Sequence, residues 1–141
     1  MKLFFDTTVV LAAFTEGHVH HDASALALLR AEKKHASCAV HSLAEFYSAL
    51  TRMPGRYRAR HEEGILFLEE LKRRLTFVAL DAEEYLSALV GFAEQGIVGG
   101  RMYDALLAQC AMKARAEIIL TWNVAHFRSL GPEIARRVQT P

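Results

Sequence analysis

The sequence predicts an α/β fold with a mainly parallel five-stranded sheet flanked by helices. Two observations predict it. Short β-branched and aromatic runs alternate along the chain with longer stretches of helical periodicity, the order that strand–helix crossovers produce. Each short run is also largely apolar rather than alternating, as expected of strands covered on both faces.

In chain order, Lys2–Phe5 reads as the first strand, with Asp6 at its end. Asp22–Lys34 reads as a helix with an apolar stripe of Ala25, Leu26, Leu28 and Leu29. Ala36–Val40 is the second strand, and Ser42–Thr51 the helix after it. Met53-Pro54-Gly55 interrupts the pattern, because proline and glycine stop helices, and Ala59–Arg74 resumes it. Thr76–Leu80 is the third strand. Ala82–Glu94 is a helix with Gly96 placed to cap its C-terminus. After the Gly99-Gly100 turn, Met102–Arg115 carries Ala105, Leu106, Leu107, Ala108, Cys110, Ala111 and Met112. That helix is apolar nearly all round and belongs at the centre of the fold. Glu117–Leu120 is the fourth strand and Arg137–Thr140 a weaker fifth.

Residues 1–141 read as a single domain, long enough to bury roughly 68–70% of the surface exposed by the unfolded chain. With 52% hydrophobic and 23% charged residues, the composition excludes disordered and low-complexity classes. No apolar run approaches the length of a membrane span, and the opening residues lack a signal-peptide cleavage pattern. Cys38 and Cys110 stand far apart and in no metal-ligand spacing, so they read as small core residues of a reduced, cytoplasmic protein. The net charge is +1. Nucleic acid would therefore be bound through a local patch, for which Arg52, Arg56, Arg58 and Arg60, or Lys72, Arg73 and Arg74, are the candidates.

Ligands of an open parallel sheet bind at the carboxyl ends of its strands. Four polar residues fall at such junctions: Asp6 after the first strand, Glu45 early after the second, Asp104 in the first turn of the apolar helix, and Asn123 after the fourth strand. Each has a plain structural reading. Asp6 and Asn123 suit helix N-caps, Ser42-Leu43-Ala44-Glu45 matches a capping box, and Asp104 complements a helix dipole. Caps do not explain why the apolar sequence around Asp6 and Asp104 admits a charge. Converging carboxylates repel, and a divalent cation removes the conflict. Oxygen ligands suit Mg²⁺ or Mn²⁺, which retain waters and so leave room for a phosphodiester.

These same segments resemble the PIN-domain family. Phe4-Phe5-Asp6-Thr7-Thr8-Val9-Val10-Leu11 is similar to its opening motif, Ser42-Leu43-Ala44-Glu45-Phe46 to its second, Gly100-Arg101-Met102-Tyr103-Asp104-Ala105-Leu106-Leu107-Ala108 to its third, and Leu120-Thr121-Trp122-Asn123-Val124-Ala125-His126-Phe127 to its fourth. The size is most similar to the VapC toxins of prokaryotic toxin–antitoxin pairs. The resemblance implies a PIN-like α/β/α sandwich and a cytoplasmic Mg²⁺- or Mn²⁺-dependent endoribonuclease. Metal-activated water would attack an RNA phosphodiester in line, leaving 5′-phosphate and 3′-hydroxyl ends. The enzyme would be a homodimer and be held inactive by a cognate VapB-like antitoxin. By motif position Asp6, Glu45 and Asp104 are the catalytic, metal-binding acids, with Asn123 a weak ligand or one acting through water. Thr7, Thr121, Arg101, Arg52 and Arg56 are the substrate-binding candidates. The chain departs from the family pattern in two places. Thr8 stands where asparagine is common, and Asn123 and His126 stand where the fourth motif often supplies an acid. One tight and one weak or substrate-dependent metal follow. The rival reading is a catalytically weak or inactive PIN-like module that binds RNA or a protein partner.

Other signals carry competing readings. His18, His20 and His21 lack the further ligand a zinc site needs and read as a loop leading into the Asp22 helix. His126 is of the residue type that most often serves as a general base, yet metal-bound water needs none. Trp122 suits a base-stacking platform or the edge of the core. Tyr47, Leu50 and Met53 share a helical spacing that fits either a partner groove or plain core. Arg101 is placed to pair with an acid or to touch a phosphate. A phosphoacceptor receiver domain, with Asp81 after the third strand, also puts acids at strand ends, but it lacks the acid pair after strand one and a late lysine.

Overall fold

The computed structural model describes residues 1–141. The central strand β1 (Leu3–Phe5) pairs with β2 (Ala36–Ala39) on one side and β4 (Ile118–Leu120) on the other. Beyond β2 lies β3 (Thr76–Val78), and beyond β4 lies β5 (Val138–Gln139), giving the order β3-β2-β1-β4-β5. All four pairings are parallel. Parallel neighbours need crossovers, and eight helices make them. The first two strands are joined through α1 (Thr7–Ala13) and α2 (His21–Leu29), and β2 and β3 through α3 (Val40–Arg52) and α4 (His61–Arg74). Next come α5 (Ala82–Glu94) and α6 (Arg101–Lys113), then α7 (Val124–Arg128) and α8 (Pro132–Ala135).

Successive strand residues face opposite sides of a sheet. Accordingly Phe4, Ala39 and Ile119 enter one buried cluster with Phe92, Leu107, Ala108 and Phe127, beneath α5 to α8. Their neighbours Phe5, Cys38 and Leu120 enter a second cluster with Val9, Phe46, Leu50 and Leu71, beneath α1, α3 and α4. The result is an α/β/α sandwich. Helix α6 buries Ala105 to Ala108, Cys110 and Ala111, as its all-round apolar pattern predicts.

Several boundaries differ from expectation. The helix expected over 22–34 ends at Leu29, and of its stripe only Leu28 is fully buried while Leu26 and Leu29 are exposed. Nothing in Glu32-Lys33-Lys34-His35 has apolar surface to bury, so the chain makes a turn into β2 instead. The helix expected at Ser42 begins at Val40, with extended Ala39 at the N-cap. Ser42 lies inside the helix at 1% exposure, so its S-x-x-E pattern is not a capping box. The pattern does operate at α5. There the Asp81 carboxylate accepts from the Glu84 amide at 2.8 Å, and the Asp81 amide donates to Glu84 at 2.9 Å, a motif that contributes about 1 kcal/mol. The short α7 and α8 carry too few residues for a periodic signal.

Candidate active site

The strand order reverses across β1, so the crevice between the carboxyl ends of β1 and β4 is the topological switch point where open sheets bind ligands. Asp6 leaves β1 there and Thr121 leaves β4. Asp6 occupies the N-cap position of α1, and its carbonyl accepts from the amides of Val9 and Val10. Its side chain makes no cap. The hydroxyls of Thr8 and Thr121 each donate to its Oδ2 at 2.8 Å, leaving Oδ1 free of side-chain donors. Thr8 and Thr121 are themselves fixed, because their oxygens accept the amides of Trp122 (3.0 Å) and Asn123 (2.9 Å). This network ties the ends of β1 and β4 together around a carboxylate that is only 2% exposed.

Burial pushes the Asp6 carboxyl above its ordinary pKa. The two hydroxyls oppose that shift, and the charge of Asp104 adds to it. Asp104 lies in the first turn of α6 and is likewise raised by burial, against the lowering effect of His126, whose Nδ1 stands 3.4 Å from Asp104 Oδ2. Glu45, on α3, is more open, with 39% of its side chain exposed. Thr7 Oγ1 donates towards both Ser42 Oγ (2.8 Å) and Glu45 Oε1 (3.1 Å). His41 Nε2 lies 3.9 Å from the same Glu45 oxygen.

The buried Asp6 carboxylate and the partly exposed Asp104 carboxylate that repels it form an oxygen-only donor set, which fits a hard divalent cation that keeps several waters. The fit is partial. No three acid, histidine or cysteine side chains are gathered tightly enough to enclose one ion, and Glu45 stands apart on α3 beside Thr7. Asn123 sits at the N-cap of α7 without a side-chain cap bond.

The substrate candidates separate. Arg52 lines a shallow hollow with Thr7, His41 and Glu45. Arg56 lines a different hollow with Glu16, Gly17 and Glu63, its guanidinium 5.0 Å from the Tyr57 ring centre. Arg56 thus stands apart from the acids: its turn follows the end of α3 and packs at the far end of α1, roughly 10 Å along the helix from Asp6. Arg101 is exposed and pairs with no acid; its guanidinium donates to the Ser129 hydroxyl at 2.9 Å. Thr121 is fully buried, so it positions Asp6 and cannot touch substrate. Trp122 is packed, with Nε1 donating to Ser24 at 2.8 Å and its ring stacked 3.6 Å from His20. His21 Nδ1 binds the Ala12 carbonyl and His18 Nδ1 accepts the His20 amide, so the three histidines brace the α1–α2 corner. Leu50 is core, and Tyr47 lies so close to Gly64 that a Cβ there would approach its ring to 2.7 Å. The groove reading of Tyr47, Leu50 and Met53 thus gives way to packing between α3 and α4.

Sequence reasoning missed the roles of Thr8 and Ser42. Ser42 was visible in principle. With Phe46 and Leu50 it occupies the buried stripe of α3 at a spacing of four, and a polar side chain on such a stripe needs a partner. Thr8 gives no such signal, because the Trp122 amide that anchors it arrives from beyond β4.

The sequence matches the PIN domain family over residues 3–129. It is 32% identical to ribonuclease VapC40 of Mycobacterium tuberculosis over 114 residues, covering 81% of each chain. It is 33% identical to ribonuclease VapC27 of the same organism over 116 residues, covering 82% of this chain and 81% of that one. The fold is similar to a chain in the crystal structure of VapBC2 from Rickettsia felis bound to a DNA fragment from its promoter. That likeness has a TM-score of 0.67 at 16% identity and covers 99% of this chain and 98% of the other. With the family matched over a stretch that holds four of the five strands and all four junctions, the chain belongs to the PIN-domain family.

Proposed function

We infer that this protein is a Mg²⁺- or Mn²⁺-dependent endoribonuclease, the toxin of a VapBC-type pair, acting as a homodimer under control of a VapB-like antitoxin. The observation that carries the reading is Asp6. It is a carboxylate buried at the switch point, held by two hydroxyls on one oxygen, and repelled by a second carboxylate, Asp104. Burying the Asp6 charge beside a second carboxylate without a counter-charge is unfavourable, and the arrangement makes sense as a cation site. The names of the two relatives, both ribonucleases VapC, support the reaction class and the antitoxin partner.

In this reading Asp6 and Asp104 would hold the metal, Asn123 would contribute a weak ligand or hold a water, and these residues would offer only a weak site for a second ion. The metal, when bound, supplies Lewis acidity and lowers the pKa of water. Thr8 and Thr121 fix the Asp6 rotamer, so its other oxygen needs no reorganisation on binding. His126 orients Asp104 through Oδ2. Glu45, steadied by Thr7, accepts a proton of the attacking water and aligns it, and Arg52 binds phosphate.

The test is cleavage of total tRNA, rRNA and mRNA with Mg²⁺, with Mn²⁺, with chelator, and by Asp104→Asn. Discrete fragments that require both metal and Asp104 are expected. Full activity in Asp104→Asn, or in chelator, would overturn the proposal. An intact fold that binds metal and cleaves no RNA would favour the binding-module reading.

A further inference from the structure

At the amino ends of the strands, the pole of the sheet opposite the carboxylates, lies a hollow of about 180 Å³. Lys2, Lys33, Lys34, His35, Ser37 and Thr76 line it, and no acid does. It is too small for a drug-sized ligand, which takes roughly 300–1,000 Å³, and has room for one small anionic group. Local structure does not explain its cations. Lys72, Arg73 and Arg74, in the last turn of α4, complement a helix dipole, and Arg73 and Arg74 also pair with Glu70. By contrast, Lys2 precedes β1, and Lys33 and Lys34 lie beyond the end of α2 at Leu29. Of these three only Lys34 has an acid near it, Glu32 at 4.0 Å. Glu117 takes the backbone amide of Lys2 and not its ammonium. Ser37 is a second, independent sign. It is 7% exposed, and its hydroxyl reaches only the Leu3 carbonyl, at 3.4 Å, against about 2.7–2.8 Å for a good O–H···O bond. A buried hydroxyl needs a better acceptor than that. The surrounding backbone is already fixed, since Thr76 Oγ1 donates to the Lys33 carbonyl at 2.9 Å and the Leu3 amide to the His35 carbonyl at 2.8 Å.

We propose that this hollow binds a backbone phosphate of a folded RNA, as an anchoring site remote from the point of cleavage. This rests on the nuclease reading above and deepens it. Asp6, Glu45 and Asp104 repel a polyanion at the pole where it would be cut, and a chain of net charge +1 offers no bulk attraction. Positive charge gathered elsewhere offsets that repulsion and supplies affinity without reading sequence. The three ammoniums act as point charges, and the Ser37 hydroxyl gives one directed hydrogen bond, which together suit the several oxygens of a phosphate. Lys2 and Asp6 are separated by the length of β1, about 13 Å, with the sheet between the two sites. A short strand seated at the carboxylates does not reach the hollow, whereas the body of a folded RNA can wrap the sheet edge and reach both.

The test reads binding of total tRNA and of a short single strand, by fluorescence anisotropy over a salt series. It uses an Asp104→Asn background in chelator, where the RNA stays intact. Lys33→Ala should lower the slope of log affinity against log salt for tRNA by about 0.7–0.9, and adding Lys34→Ala should double that loss. Neither should change binding of the short strand, and Lys33→Arg should behave as wild type. Ser37→Ala should weaken tRNA binding roughly threefold with the slope and the melting temperature unchanged. In the otherwise wild-type chain, the double lysine variant should raise KM for a folded RNA roughly tenfold and leave kcat alone. Arg128→Ala removes one exposed charge outside the hollow; a slope loss equal to that of Lys33→Ala would reduce the effect to overall charge and overturn the hollow. Inorganic phosphate titrated into the RNA-free chain separates the sources of the anion. Saturable shifts at the amides of Lys34, His35 and Ser37, with tRNA affinity equal in wild type and lysine variants, would assign the hollow to a free phosphate compound and overturn the RNA anchor. If wild type cleaves RNA and the lysine variants bind and cleave tRNA as it does, the hollow falls and the nuclease stands. If the lysine-dependent slope is present and no RNA is cleaved, the nuclease falls and the hollow stands.

Discussion

Between β1 and β4, the Asp6 carboxylate is 2% exposed, with two hydroxyls on one oxygen and each hydroxyl anchored in turn by a backbone amide. Across the site on α3, the Glu45 side chain is 39% exposed, with the Thr7 hydroxyl as its donor and His41 nearby. The first side is built to hold a charge in one place before any ligand arrives. The second keeps water and side-chain freedom. A buried, fully connected polar network is rigid and costly to break, while an exposed carboxylate with one partner can follow a substrate. The comparison predicts which substitutions remove activity outright and which only tune it.

The largest effect belongs to Asp6→Asn. The amide oxygen can still accept from Thr8 and Thr121, so the fold survives, but the charge that would hold a metal is gone. Cleavage is expected to fall by at least about a hundredfold. Stability in chelator should rise, by about 1–2 kcal/mol, because a buried charge facing Asp104 has been neutralised. Metal-free melts and RNA cleavage on one preparation check both signs. A less stable, fully active Asp6→Asn would mean that the buried side is structural only.

Next comes the network that holds Asp6. Thr121→Val keeps the shape of a fully buried side chain and removes the hydroxyl that donates to Asp6 and accepts the Asn123 amide. A loss of roughly 1–3 kcal/mol is expected, with about a tenfold drop in kcat/KM, and Thr121→Ser should recover most of both. Thr8→Val should follow the same pattern. Glu45→Gln, on the open side, should cost about tenfold in kcat with little change in the melting temperature, because its single donor is easily replaced by water. A loss equal to that of Asp6→Asn would erase the difference between the two sides and make Glu45 a direct metal ligand.

The two sides were also unequally legible in the sequence. The sheet, its five strands and the central α6 follow from apolar runs and periodicity, which report burial directly. Asp6 and Asp104 stood out because a charge interrupts an apolar segment. The misreadings share a cause. Cap patterns are local, and Asp6, Ser42 and Asn123 all satisfy them, yet none caps a helix with its side chain. Asp6 and Ser42 instead bond to residues far along the chain, and such contacts leave no local trace. Thr8 bonds Trp122, 114 positions away, and the Asp6–Thr121 bond spans 115. The arginines are the opposite case. Arg52 and Arg56 look alike in sequence and differ only in which end of α1 the chain brings them to.

That difference sharpens into the smallest expected effect. Arg52 borders the hollow of Thr7 and Glu45, whereas Arg56 packs on Tyr57 in a separate one. A side chain that neutralises one phosphate of single-stranded RNA adds about 0.7 to the slope of log affinity against log salt. Arg52→Ala should lower that slope by about this amount and weaken binding uniformly across RNA sequences. Arg56→Ala should leave the slope unchanged and lose only its contact with an exposed ring, about 0.5–1 kcal/mol of local stability. Salt titrations of RNA binding by the two variants, side by side, give the comparison its internal control. Equal slope changes would mean that the RNA runs past both hollows, along the whole turn after α3, and that charge on the outer surface counts as much as charge beside the carboxylates.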